Sequence, residues 1–152
     1  MDADTPLSLA EFGTFAGTEA GLLDDLLAAL EEKRFAAGEK IFTRGDPGRE
    51  IFFIRKGSVR IDLPLAGGMT EHLATFGRGD FFGDMAFLVK GGRSADALAE
   101  DEVWLFSMDR SVFNELSLKD PRLGEMLFFR LASALAERLR QTDVIIKTLV
   151  ES

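Results

Sequence analysis

The hydrophobic period of the chain changes twice. Over 19–32, Leu22, Leu23, Leu26, Leu27 and Leu30 recur at helical spacing, with Thr18 placed to cap the start. The acidic residues of this stretch fall mostly on the opposite face, which predicts an amphipathic helix with one solvated side. From about residue 34, short apolar runs alternate with glycine turns. Ile41 and Phe42 precede Arg44-Gly45-Asp46-Pro47-Gly48, and the runs 51–54 and 59–63 are parted by Lys56-Gly57. Gly67-Gly68 make a further turn, 72–76 ends at Gly77-Arg78-Gly79-Asp80, and 95–99 and 103–106 complete the set. Many short strands with turns at this spacing predict a sandwich or barrel.

After Met108 the helical period returns. Asp109 or Ser111 is placed to cap a short helix reaching about residue 116. Asp120-Pro121 then opens a longer one, with an N-cap followed by proline at the first helical position. Leu123, Leu127, Leu131 and Leu135 recur along it, and Leu139 and Ile146 extend the apolar side towards residue 149. The expected organisation is a single domain over 1–152: a helical segment 1–33, a β-barrel 34–108 and C-terminal helices 109–152.

Composition narrows the function classes. A chain of 152 residues, 46% hydrophobic and 29% charged, has the make-up of one globular core and is too apolar for disorder. Its longest apolar runs fall far short of the about 18 residues of a membrane span. The N-terminus lacks the basic and apolar regions of a secretory signal. The absence of cysteine excludes disulfides, thiolate metal sites and cysteine nucleophiles, and the expected location is cytoplasmic. The net charge of −8 is uneven: residues 1–32 hold eight acidic residues and no Lys or Arg, leaving 18 charges of each sign over the other 120 residues. No basic stripe is available to neutralise a phosphate backbone, so direct nucleic-acid binding is not expected.

The chemistry concentrates in 79–99, GDFFGDMAFLVKGGRSADALA. A strand end and an aromatic pair lead to Gly83; 84–88 suits one helical turn; a glycine loop follows; Arg93-Ser94-Ala95 enters the next strand. A helix start offers free N–H groups, glycine permits close backbone approach, and Arg93 is a permanent cation that can chelate two phosphate oxygens. Ser94 adds a hydroxyl, and the Asp84 carboxylate can accept from a sugar hydroxyl. Spacing alone also admits a tight strand–helix–strand turn with a surface arginine.

This segment resembles the phosphate-binding cassette of the cyclic nucleotide-binding domains: G-x-x-F-G-E, a few apolar residues, a loop, then R-[ST]-A. Gly45, the run 51–54 and Gly57-Ser58-Val59 are similar to the family's early strands and turns, and the resemblance extends over roughly 34–142. It implies a mainly β fold with flanking helices: an eight-stranded jelly-roll β-barrel with N-terminal helices, a short cassette helix and a long C-terminal helix. It implies cAMP or cGMP as ligand rather than cofactor, with the cyclic phosphate at Arg93, Ser94 and the N–H groups of Met85, Ala86 and Ala95. The ribose 2′-hydroxyl would meet Gly83 and Asp84, and the base would pack on Ile61, Leu73 and Phe76. Residues 137–142 are similar to the lid helix of the catabolite-activator branch, which implies Arg138 near Asp84 or the ribose and Thr142 at the base.

Two positions depart from the family pattern. Asp84 stands where glutamate is usual, a methylene shorter. Asp96, two residues after Ser94, either faces the phosphate or lies harmlessly on the outer barrel face. No helix-turn-helix pattern follows the long helix, so the expectation is a sensor module, acting as a homodimer through its last helix or as the regulatory part of a larger protein. The alternative is a degenerate barrel that binds no nucleotide and associates through Leu127, Leu131, Leu135 and Ile146. An enzyme is not expected: cupin-like metal barrels need two or more histidines, and His72 is the one histidine here.

Overall fold

Two four-stranded antiparallel sheets face each other in the computed structural model, which describes residues 5–151. The strands are β1 (Glu31–Phe35), β2 (Lys40–Phe42), β3 (Glu50–Lys56), β4 (Val59–Pro64), β5 (Thr70–Phe76), β6 (Phe81–Phe82), β7 (Asp96–Ala99) and β8 (Val103–Asp109). One sheet has the order β1-β8-β3-β6 and the other β2-β7-β4-β5. The architecture is the expected eight-stranded jelly roll with flanking helices, although among the described residues no ladder joins the two sheets into a closed barrel. The helices are α1 (Ala20–Ala29), α2 (Asp84–Leu88), α3 (Arg110–Lys119) and α4 (Pro121–Glu151). Among the described residues, no helix is long and apolar enough to cross a membrane.

The apolar run 51–54 is buried along its whole length because it serves two layers. Successive side chains of a strand point to opposite faces. Ile51 and Phe53 turn outward to a layer closed by Phe12, Phe15, Leu26, Phe113, Leu123, Leu127 and Leu131 from the helical segments. Phe52 and Ile54 turn inward, between the sheets, to Val59, Phe82, Ala97, Val103 and Leu105. In the outer layer Phe53 meets Phe12 at 6.1 Å and Phe15 at 5.3 Å between ring centroids. Each such ring removed from water contributes about 2–3 kcal/mol.

Local signals predict the later helices well. The Asp109 side chain accepts from Ser111 N and caps α3, and Pro121 opens α4 after Asp120. Nearer the N-terminus two readings need correction. Helix α1 ends at Ala29, and the chain is extended from Leu30, so the first strand starts at Glu31 rather than at residue 34. Its sequence, EEKRF, carries almost no apolar signal; pairing with β8, from Glu31↔Ser107 to Phe35↔Val103, makes it a strand. Thr18 does not cap α1: Glu19 holds that position without a side-chain bond, and the Thr18 hydroxyl is buried without a partner. Strand β6, seen in the sequence only as an aromatic pair, is two residues fixed by Phe52↔Phe82 and Phe53↔Phe81. It is too short to show a period.

Candidate ligand-binding pocket

The inner layer does not fill the space between the sheets. At one end it opens into a cavity of about 330 Å³, within the size range of small-molecule sites. Phe42, Ile61, Leu73, Phe76 and Phe82 form apolar walls, while Gly83, Asp84, Met85, Ala86, Arg93, Ser94 and Ala95 form one side. Helix α4 closes over it with Leu135 and Arg138.

Gly83 makes the turn from β6 into α2. Its φ of 79° belongs to the left-handed region, and a Cβ there would lie 2.8 Å from the Glu50 carbonyl and 3.0 Å from Arg93 Nη1, so only glycine fits without displacement. Phe87 is buried and anchors α2 to the outer layer. The Asp84 carboxylate accepts from its own backbone N–H. The next N–H groups, of Met85 and Ala86, start the helix without helical partners.

Arg93 is held from both ends. Its backbone pairs with the turn before β3, through Gly45 N to Arg93 O at 2.8 Å and Arg93 N to Asp46 O at 2.9 Å. Its side chain donates from Nη1 to the Gly83 carbonyl at 3.1 Å and lies 4.3 Å over the Phe42 ring. The residue is 5% exposed, its Nε is buried with no partner, and among the described residues no carboxylate forms an ion pair with it. Burial pushes the guanidinium below its usual pKa, and the fields of Glu50, Asp46, Asp109 and Asp84 act against that shift. A buried cation without a direct counter-charge is costly. The arrangement suits an anion entering the pocket.

Asp84 lines the same side. Burial pushes its pKa up, opposed by its own N–H and by Arg138 and Arg93. Arg138 Nη1 lies 3.7 Å from Asp84 Oδ1, its Nη2 donates to the Phe81 carbonyl at 2.8 Å, and the guanidinium lies 4.0 Å over the Phe81 ring. The shorter side chain of Asp84 therefore still reaches an ion pair with the last helix.

Of the residues singled out in the sequence, Gly83, Asp84, Met85, Ala86, Arg93, Ser94, Ala95, Ile61, Leu73, Phe76 and Arg138 all line the cavity. Thr142 does not. Its hydroxyl donates back to the Arg138 carbonyl at 3.0 Å, one turn down the same helix, and it is exposed. Asp96 alternates with Ala95, which lines the cavity, and with Ala97 of the inner layer, so it takes the outer face of its sheet, as one of the two readings had it. It is 8% exposed, accepts the Arg44 N–H at 2.7 Å and pairs with Lys40 Nζ at 3.4 Å, so its charge is answered away from the cavity wall. His72 bonds Asp62 and Thr75, and no cluster of three or more metal-ligating side chains occurs among the described residues. Leu127 and Leu131, offered as part of an association seam, are fully buried in the outer layer, whereas Ile146 is exposed.

Sequence reasoning missed Phe42 and Phe82. Phe82 stacks on Phe52 at 5.0 Å, and Phe42 meets both rings at 6.0 Å, giving Arg93 an aromatic bed. The one available signal was their place beside the glycines that bracket the site, Gly45 and Gly83.

Comparison with known proteins gives the family and fold that the chain resembles. The family described as "Cyclic nucleotide-binding domain" matches residues 32–120. The cyclic AMP receptor protein of Thermus thermophilus is 32% identical over 130 residues, covering 86% of this chain and 58% of that protein. The crystal structure of the Thermus thermophilus catabolite activator protein superposes with a TM-score of 0.76 at 31% identity, covering 90% of this chain and 62% of that one. Glutaminase 1 of Bradyrhizobium diazoefficiens is 35% identical over 139 residues, which span 91% of this chain but 22% of that protein.

Proposed function

The chain belongs to the cyclic nucleotide-binding domain family, and on that premise we propose that it is a regulatory module that binds cAMP or cGMP between its sheets and passes the event on through α4. The observation that carries this reading is Arg93, a buried guanidinium with an unpartnered Nε and no carboxylate bonded to it, on the wall of a cavity whose other polar side chains are Asp84, Ser94 and Arg138. A cyclic phosphate supplies the missing charge. It bonds Arg93, the Ser94 hydroxyl and the N–H groups of Met85, Ala86 and Ala95, and a monoanion desolvated beside a guanidinium makes strong charge-assisted bonds. The ribose 2′-hydroxyl donates to Asp84, and the base packs on Ile61, Leu73 and Phe76.

Transmission follows from where α4 touches the site. Leu135 and Arg138 are part of the cavity wall, while Leu139, Ile146 and Leu149 farther along the same helix are exposed. A ligand that draws Arg138 and Asp84 together favours one placement of that apolar stretch. It needs only to bind that placement better than the alternatives. A second copy of the chain, or a fused domain, is the receiver. The similarity to part of a receptor and part of a glutaminase supports a module used beside different domains. The balanced charge of residues 33–152 supports a small phosphate ligand rather than direct nucleic-acid contact, and a cytoplasmic location fits both ligand and cysteine-free composition.

Isothermal titration tests the reading. Saturable heat from cAMP or cGMP at one site per chain is expected. Heat from neither at millimolar nucleotide would overturn it and leave association through α4 as the module's role.

A further inference from the structure

Helix α2 is five residues long. A single helical turn fixes several residues for few bonds, and its formation is unfavourable in isolation. At its two ends it is closed by Phe87 N to Gly83 O at 3.3 Å and Val89 N to Met85 O at 2.8 Å. Two arginines from elsewhere in the fold add to these. Arg49, immediately before β3, donates from Nε to Ala86 O at 2.9 Å and from Nη2 to Phe87 O at 3.1 Å. Arg110, the first residue of α3, donates from Nη1 to Phe87 O at 2.9 Å and to Leu88 O at 3.3 Å.

The acceptors are the last carbonyls of α2, which a helix leaves without partners and where positive charge is favoured. Holding two guanidinium groups there has a cost. Burial and the nearby charge of Arg49 both push Arg110 below its usual pKa. Arg110 is also packed among rings from three elements, Phe87 of α2, Phe113 of α3 and Phe128 of α4, at 5.5, 5.6 and 5.3 Å from their centroids. Neither arginine lines the cavity beside Arg93.

We propose that Arg49 and Arg110 are positioning residues for the pocket: by pinning the carbonyl end of α2 they keep its opposite, N–H end formed before any nucleotide arrives, and Arg110 joins that helix to α4. The inference rests on the nucleotide reading for its consequence and on the four bonds for its cause. It gives α2 a preorganised shape, so that a ligand need not supply the cost of ordering it. Because both arginines bond the Phe87 carbonyl, their effects are coupled rather than independent.

Amide hydrogen exchange on the ligand-free protein tests the cause directly. In Arg49→Gln and Arg110→Gln, exchange at Phe87 and Val89 is expected to accelerate about tenfold, the scale of one lost charge-assisted bond, with the β3 and β8 ladder amides unchanged. Arg49→Lys keeps the charge and recovers part of the protection. In titrations each Gln variant binds cAMP about tenfold more weakly, with Arg93 intact, and the double variant loses less than the product. Unchanged exchange at Phe87 and Val89, or a rise shared equally by β3 and β8, overturns the proposal. Should Arg110→Gln not fold, Arg49→Gln decides alone, since it leaves the ring cluster untouched. A wild-type protein that binds neither cAMP nor cGMP contradicts the nucleotide reading, while the exchange result still decides the clamp.

Discussion

The two apolar layers on either face of the β1-β8-β3-β6 sheet are made of similar residues and end differently. The outer layer, under the helices, is closed on every side by Phe12, Phe15, Leu26, Phe113, Leu123, Leu127 and Leu131. The inner layer, between the sheets, runs out into a cavity whose wall includes the buried cation of Arg93. Adjacent residues divide between them: Phe81 serves the outer layer, Phe82 the inner. Well-filled apolar packing supplies stability, and an incompletely filled layer with a buried charge gives up some of it. The outer layer is filled, and the inner one leaves open the space where the proposed ligand would sit.

Substitutions can break this contrast. Phe53→Ala, at the centre of the outer layer with no exposure, is expected to cost about 3–5 kcal/mol in chemical denaturation, the scale of a deleted core ring. A loss under about 1 kcal/mol would mean that the layer is not the main support. Arg93→Leu is expected to weaken cAMP binding about 100-fold in titration, the scale of two lost charge-assisted bonds. Its unfolding midpoint should stay level or rise, because an uncompensated buried charge is gone. A fall in stability with affinity retained would reverse the assignment of costs.

Two carboxylates sharpen the contrast through pH. Bonds from the Ser111 side chain and N–H hold Asp109 below the usual carboxylate range. Its stabilisation is present above the unfolded-state value and is lost as pH falls through the lower folded-state value. Asp109→Ala should therefore cost about 1 kcal/mol at neutral pH, as helix caps do, and less in acid. Burial pushes Asp84 the other way, despite its own N–H, Arg138 and Arg93. A raised folded-state value means that the native protein holds the extra proton, so stability falls as pH rises from the usual carboxylate range through the raised value. Asp84→Asn should flatten that slope. Urea midpoints collected across pH check both signs. The smallest effect belongs to Thr142→Val: since the hydroxyl bonds Arg138 O and not the cavity, cAMP affinity should change by no more than about twofold, as for an exposed surface position.

What the sequence made legible was local chemistry. Asp109 before α3, Asp120-Pro121 before α4, and Gly83 and Arg93 at the cassette each declare their role through a few neighbouring residues. What it hid depends on partners distant along the chain. Strand β1 is charged and is a strand because β8 lies beside it. Asp96 reads as an open question until Arg44 and Lys40 are seen to answer it. Phe42 becomes a site residue only when the fold lays it under Arg93. Thr142 shows the opposite error, because sharing a helix face with Arg138 did not bring it to the cavity.

Arg93, buried without a bonded carboxylate, is proposed to receive a cyclic phosphate. Crystals grown with cAMP test it most directly. A phosphate is expected within hydrogen-bond distance of Arg93 and of the Met85 and Ala86 N–H groups, with the base against Ile61, Leu73 and Phe76. A saturated crystal with nucleotide bound elsewhere, and Arg93 still bonded only to the Gly83 carbonyl, would contradict it.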